Sequence, residues 1–266
     1  SMLEKALIEN GFKARAIGNI GLPVLDYIEE SLDFSLIEVS SFHLKISNKL
    51  RSDVAIILNI TEDHLDYHES FEDYFKIKNS IFNNAKIKIA NEVNKAEISN
   101  ADVFFNSKDL DIDEQNLNAI EAILVALNLS INFRKSLANY SKLEHRFENF
   151  YQDKKGRIFI NDSKATNVGA AKEAVKTAKK IGEVCILCGG RGKGVNFHDF
   201  SNFLSENCKN IILFGEDKHL IKKNINKEKL FEAEDLKEAI LLAKKITLSN
   251  EVILFSPACS SFDAFS

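Results

Sequence analysis

Residues 157–188, RIFINDSKATNVGAAKEAVKTAKKIGEVCILC, decide the fold. Residues 157–160 form a short apolar run that reads as a buried strand, 161–167 are almost all polar, 169–180 read as a helix, and 183–188 are apolar again. The same alternation extends outward in both directions. Strands are expected at 34–39, 54–60, 86–90, 210–214 and 252–255, and helices at 71–83, 116–127 and 236–247. Strands that alternate with helices predict a mainly parallel sheet covered on both faces, a doubly wound α/β architecture. Near Ser141 a helical segment gives way to Leu143-Glu144-His145-Arg146 and a fresh series of strands, so two such domains are expected, 1–141 and 142–266. The first ten residues read as an amphipathic helix from Met2 that closes on Gly11.

Bulk properties narrow the chemistry. The chain has 266 residues, of which 45% are hydrophobic, enough for two real cores. Charged residues make up 28% but nearly cancel, to a net charge of -4, so no basic field is available to hold nucleic acid or anionic lipid, and small-molecule chemistry is the default. No apolar run approaches the roughly 18 to 20 residues that span a bilayer, and no secretory layout opens the chain. A cytoplasmic location without membrane or nucleic-acid partners is expected. No heptads or exposed apolar stripe mark an interface, and a monomer is expected. Cys185 and Cys188 form a C-x-x-C inside a strand, where residues three apart point to opposite faces, so both are read as structural; Cys208 and Cys259 complete a set too scattered for disulfides.

Polar clusters sit at strand ends, where open α/β sheets place their chemistry. Asn59-Ile60-Thr61-Glu62-Asp63-His64-Leu65-Asp66-Tyr67-His68 gathers carboxylates and imidazoles of the kind a metal–phosphate site requires. His64 and His68 have the spacing of a zinc helix, but no Glu follows His64 to complete H-E-x-x-H. Glu38, in Ile37-Glu38-Val39-Ser40-Ser41-Phe42-His43, ends an apolar run; burying it would be costly without a pair or a cation, which makes it a metal-ligand candidate. Asn161-Asp162-Ser163-Lys164-Ala165-Thr166-Asn167, between strand and helix, suits an anion or nucleotide, whereas an N-cap would need only one of these residues. Cys188-Gly189-Gly190-Arg191-Gly192-Lys193-Gly194 fits either a close ligand approach or a tight surface turn. No G-x-x-x-x-G-K-[ST] occurs in the 266 residues.

These motifs, with Gly18-Asn19-Ile20-Gly21-Leu22-Pro23, Leu143-Glu144-His145-Arg146 and Ser256-Pro257-Ala258-Cys259-Ser260-Ser261-Phe262-Asp263, stand in an order that resembles the Mur ligase family over nearly the whole chain. The 161–167 and 256–263 segments resemble its D-glutamate-adding branch. The resemblance implies a central ATPase domain, here without a P-loop, followed by a C-terminal Rossmann-like domain. It implies an ATP-dependent ligase of peptidoglycan synthesis that joins D-glutamate to the carboxylate of UDP-N-acetylmuramoyl-L-alanine through an acyl phosphate. That chemistry asks for positioning and charge neutralisation.

Carried over by position, Glu38 and His64 hold Mg2+, and Lys78 matches a lysine that becomes a further magnesium ligand once carbamylated, with Lys76 as the neighbouring alternative. Asn19 and Ser40 lie against the UDP-muramoyl substrate. Asn116, His145, Arg146 and Asp162 match ATP-binding positions, and Lys164, Thr166, Lys193, Ser261 and Phe262 match the D-glutamate pocket. Lys78, His64 and Lys164 are the implied catalytic set. The family's UDP-binding domain and phosphate-gripping loop would precede residue 1, and a further aromatic would follow the last residue, so the 266 residues alone are expected to be inactive or nearly so. His43 stands where glutamine is usual, and Ala119 where the helix from Asn116 usually carries a second asparagine. A folylpolyglutamate-synthase-like ligase and a non-catalytic nucleotide-binding module are the alternatives. The 161–167 run speaks against the first, and the charges at Glu38, His64, Lys78 and Lys164 against the second.

Overall fold

A computed structural model describes residues 1–27, 30–47, 49–140 and 143–260. The chain opens on helix α1 (Met2–Glu9), which stops as its sequence predicts. Gly11 adopts φ +90°, Phe12 N donates to Leu7 O, and Gly11 N donates to Ile8 O. These two bonds satisfy carbonyls that a bare helix end would leave open. Strands β1 (Ala14–Gly18) and β2 (Phe34–Glu38) pair in parallel and end level, Gly18 opposite Glu38. After α2 (Ser41–Ile46) come β3 (Ser52–Ile57), α3 (Phe71–Asn79), β4 (Ala85–Asn91) and β5 (Val103–Phe105), the three strands forming a second parallel sheet.

Helix α4 (Ile112–Ala126) serves both sheets. Its Ile120 and Leu124 pack with Ala6, Leu7 and Ala14, together with Phe133 of the short α5 (Phe133–Ser136). Its Ala119 packs with Ile89 and Phe105. The helix starts four residues before the expected position, because Asp111 caps it by accepting from Asp113 N and Glu114 N. Asn116 therefore lies in the second turn and not at the start. Conversely, α3 ends before residue 83: Ser80 Oγ donates to Ile77 O and the chain tightens into a 3-10 turn over Ser80–Phe82.

The described residues divide into two compact units, residues 1–60 with 72–141, and residues 61–71 with 142–266. The sequence break expected at 141 lies outside the described residues. Segment 61–71 groups with the second unit although its flanking sequence belongs to the first.

The second unit contains β6 (Glu148–Gln152), β7 (Ile158–Asn161), α6 (Val168–Lys179), β8 (Val184–Gly189), α7 (His198–Asn207), β9 (Asn210–Phe214), α8 (Lys218–Ile221), β10 (Leu230–Glu232), α9 (Leu236–Ile246) and β11 (Val252–Phe255). Among the described residues six strands form one sheet in the order β10-β9-β8-β11-β7-β6, parallel except for β6. Alternate residues supply two cores. Ile186, Cys188, Ile211, Leu213, Val252 and Leu254 meet Ala171 and Val175 of α6 and Phe200 and Leu204 of α7. Cys185, Leu187, Ile212, Phe214 and Ile253 meet Ala239 and Ala243 of α9 on the other face. Every residue of β8 is buried, as a central parallel strand demands. The two cysteines of the C-x-x-C thus face opposite cores as free thiols.

Candidate active site

The parallel strands β7, β8 and β11 release their polar segments at one edge of the sheet, and backbone hydrogen bonds lace these segments together. Asp162 N donates to Phe255 O at 2.8 Å, Ala258 N to Ala165 O at 2.8 Å, and Gly189 N to Pro257 O at 2.9 Å. Arg191 and Ser260 exchange both of their backbone bonds at 3.0 Å. Gly190 is required by this closeness: at φ +131° its missing Cβ would collide with Ser260 O. Backbone packing thus accounts for Gly190 without a ligand. Gly192 N donates to Asp217 Oδ2 at 2.8 Å, which anchors the turn on its far side.

Onto this edge folds segment 61–66. Thr61 packs against Gly169 near the start of α6, and Gly194 lies alongside Leu65 and Asp66. Asp63 is the hub. Its Oδ1 accepts from Lys193 Nζ at 2.7 Å and from His64 N at 2.8 Å, and its Oδ2 accepts from Asn167 Nδ2 at 3.2 Å. The side chains of Asp63 and Lys193 are each only 11% exposed. Both His64 (φ +53°) and Lys193 (φ +40°) sit in the left-handed region, which aims their side chains at the cost of backbone strain. Asn167 also caps α6 by accepting from Ala170 N at 2.9 Å. Burial holds the His64 imidazole below its ordinary pKa, partly offset by the Asp63 carboxylate, so the ring is neutral near pH 7. His64 and His68 bracket a single turn, with His68 N donating to His64 O, and do not lie on a helix.

Of the residues expected to meet nucleotide, His145, Arg146 and Asp162 lie together beside β7, whereas Asn116 is on α4 of the first unit. His145 (φ +67°) and Phe147 (φ +47°) bracket an exposed Arg146. Asp162 holds this turn: its Oδ1 accepts from Phe147 N at 3.0 Å and its Oδ2 from Ser256 Oγ at 2.9 Å. Asn161 Nδ2 donates to His145 Nδ1 at 2.8 Å, and Lys164 N donates to His145 O at 3.2 Å. Lys164 is exposed and Thr166 half-buried. Ser261 and Phe262 lie outside the described residues.

In the first unit, Asn19 is fastened to Glu38 twice, backbone N to carbonyl O and Nδ2 to Oε1, each at 2.9 Å. Glu38 is exposed, which corrects the expectation of a buried carboxylate: among the described residues β2 pairs with β1 alone, and its last residues, Ile37 and Glu38, are open to solvent. Ser40 caps α2, accepting from His43 N at 3.2 Å while His43 Nδ1 accepts from Ser40 N at 3.4 Å. His43 thus performs the capping-box role that Glu or Gln usually fills. On α3, Lys78 is half-buried with its Nζ 5.6 Å from the Tyr74 ring, whereas Lys76 is exposed. Among the described residues no three His, Cys, Asp or Glu side chains form a ready-made metal cage.

Residues 18–122 match the Mur ligase middle domain, and residues 145–259 match the Mur ligase, glutamate ligase domain. A UDP-N-acetylmuramoylalanine--D-glutamate ligase of Buchnera aphidicola is 33% identical over 305 aligned residues, which take in all of this chain and 69% of the relative. The chain belongs to the Mur ligase family. A ligase of the same name from Francisella philomiragia is 34% identical over 289 residues, again covering 100% of this chain and 69% of its own length. Among solved structures, MurF from Acinetobacter baumannii superposes with a TM-score of 0.77 at 16% identity, covering 97% of this chain and 70% of that one. A bifunctional folylpolyglutamate synthase/dihydrofolate synthase from Yersinia pestis gives a TM-score of 0.72 at 17% identity, covering 98% and 82%. At such identities the structures share the fold of this Mur ligase, and it is the sequence relatives that separate the D-glutamate branch from the folate one. No helix among the described residues is long and apolar enough to cross a membrane.

Proposed function

We propose that this chain contributes to an ATP-dependent ligase that adds D-glutamate to UDP-N-acetylmuramoyl-L-alanine in peptidoglycan synthesis, working in the cytoplasm as a monomer. The observation that carries the reading is the convergence, within the second unit, of Asp63, Lys193 and Asn167 from three separate polar motifs, of which the 161–167 run is the one that resembles this branch. In this reading the muramoyl carboxylate attacks the γ-phosphorus of ATP, giving an acyl phosphate and ADP, and the D-glutamate amine then displaces phosphate. An acceptor with two carboxylates suits lysines and hydroxyls, here Lys193, Lys164, Thr166 and Ser261, with Phe262 beside them. His145, Arg146, Asp162 and Asn116 are assigned to ATP, and Asn19 and Ser40 to the muramoyl substrate. Asp162 acts there chiefly by holding the His145–Phe147 turn, since both of its oxygens already have partners within the chain.

Glu38, His64 and carbamylated Lys78 are proposed as magnesium ligands. The donor types fit: Glu38 is an exposed carboxylate, burial favours the neutral form of the His64 imidazole, and Lys78, unlike Lys76, is half-buried. Magnesium is commonly held by one or two carboxylate-type ligands together with waters and substrate phosphates. When bound, such an ion would neutralise charge on the transferring phosphoryl group.

The test is phosphate release by the full-length gene product given ATP, magnesium and UDP-N-acetylmuramoyl-L-alanine, with D-glutamate, L-glutamate, L-alanine or meso-diaminopimelate as acceptor. Release that depends on D-glutamate alone is expected. Release that depends on another of these acceptors, or none with any of them, would overturn the assignment.

A further inference from the structure

We propose that Asp63 is a positioning residue for the acceptor: its carboxylate pins the Lys193 ammonium and so aims it at the incoming glutamate carboxylate. This rests on the reading of Lys193 as an acceptor ligand. Lysine is a point charge on a flexible four-carbon stem, and nothing intrinsic fixes where its ammonium lies. Here the ammonium is held at 2.7 Å by Asp63, in a place where both side chains are nine-tenths buried. Asp63 cannot drift either, because Asn167 Nδ2 and His64 N hold its two oxygens from separate directions. One of the three ammonium donors is occupied, which leaves two for a substrate carboxylate.

Two effects oppose each other when the Asp63 charge is removed. A nearby anion is lost, which favours an incoming carboxylate. The ammonium, however, is left buried without a counter-charge, and its stem lets it swing to water. The second effect dominates, because a lysine that has left the pocket attracts nothing within it.

The experiment has two arms. In the full-length enzyme, Asp63→Asn keeps the shape and removes the charge; the D-glutamate KM should rise about tenfold or more while the ATP KM stays within about twofold, and Asp63→Glu should recover part of the loss. In the 266-residue chain, acetylation of Lys193 followed by mass spectrometry should run several-fold faster in Asp63→Asn, with the other lysines unchanged. A D-glutamate KM that falls or stays within about twofold of the parent, or a parallel rise in both KM values with general lysine labelling, overturns the positioning role. Lys193→Met separates the two claims: if it leaves the D-glutamate KM unchanged, the reading of the pocket fails first. If Lys193→Met abolishes binding while Asp63→Asn does nothing, only the inference about Asp63 falls.

Discussion

Thr61 occupies the space that a side chain at Gly169 would need: a Cβ there would lie 2.6 Å from Thr61 Oγ1 and 2.8 Å from its Cγ2. Glycine in the first turn of α6 sacrifices helix propensity, about 1 kcal/mol relative to alanine. In exchange the β-branched Thr61 can seat against the helix, bringing Asp63 within reach of Asn167 and Lys193. Gly169→Ala should therefore destabilise despite its better propensity, since overpacking costs about 1–3 kcal/mol. Faster hydrogen exchange over residues 61–68 would locate the effect, and adding Thr61→Ala should reverse most of it. A stabilised single variant with unchanged exchange would refute this packing account.

Gly18 carries a stricter demand. Its φ is +101°, and a Cβ would stand 2.5 Å from the Glu38 carbonyl oxygen, backbone that no rotamer change can relieve. Gly18→Ala should cost roughly 2 kcal/mol or more in urea unfolding and should loosen the paired bonds from Asn19 to Glu38. Gly11→Ala offers a comparison, because its φ of +90° is also left-handed but no atom lies within 4 Å of the added Cβ. The Gly18 variant is expected to be clearly the less stable of the two.

Asn167 has two jobs that different substitutions separate. Its Oδ1 caps α6 and its Nδ2 holds Asp63. Asn167→Ala loses both, whereas Asn167→Ser retains a capping oxygen and loses only the amide donor. The two variants should differ by about 1 kcal/mol, the worth of the cap. Equal stabilities in denaturant titration would mean that the cap contributes little here.

The thiols give a pH-dependent test. Burial pushes Cys185 and Cys208 up from an ordinary value of 9.0 to about 12, and Cys188 rises too. The folded state therefore resists losing these protons more than the unfolded state does. Their contribution to stability is complete below pH 9 and is lost progressively as pH rises toward 12. At pH 8 iodoacetamide should leave the native cysteines untouched and label all four once the chain is unfolded in guanidinium. Rapid labelling of Cys185 or Cys188 in the native protein would show that the β8 cores open readily.

Much of the second unit was legible in the sequence. Strands β7, β8, β9 and β11 lie where their apolar runs are, because strands buried on both faces leave an uninterrupted signal. The opposed faces of Cys185 and Cys188 follow from strand geometry alone. What escaped were strands at sheet edges or in small sheets: β1, β5, β6 and β10 are short and half-exposed, so their sequences mix polar with apolar residues. The early start of α4 had a readable sign in Asp111 followed by Glu114, the spacing of a capping box. Glu38 was misjudged for a related reason, since an apolar run implies burial only if something covers both faces.

By itself the sequence determined the alternation of strands and helices, the branch of the family, and the residue types that could handle phosphate, magnesium and an acidic acceptor. Those properties are local, written in periodicity and in short contiguous motifs. Only the tertiary structure decided that Asp63 meets Lys193, 130 positions away, and that the same carboxylate holds the cap of α6. Pairings of this kind depend on which strand ends share a sheet edge, which is set by the packing of two cores. The glycines tell the same story: the sequence reads the 188–194 run only as a close approach or a turn, and the folded chain reveals what Gly18, Gly169 and Gly190 each make room for.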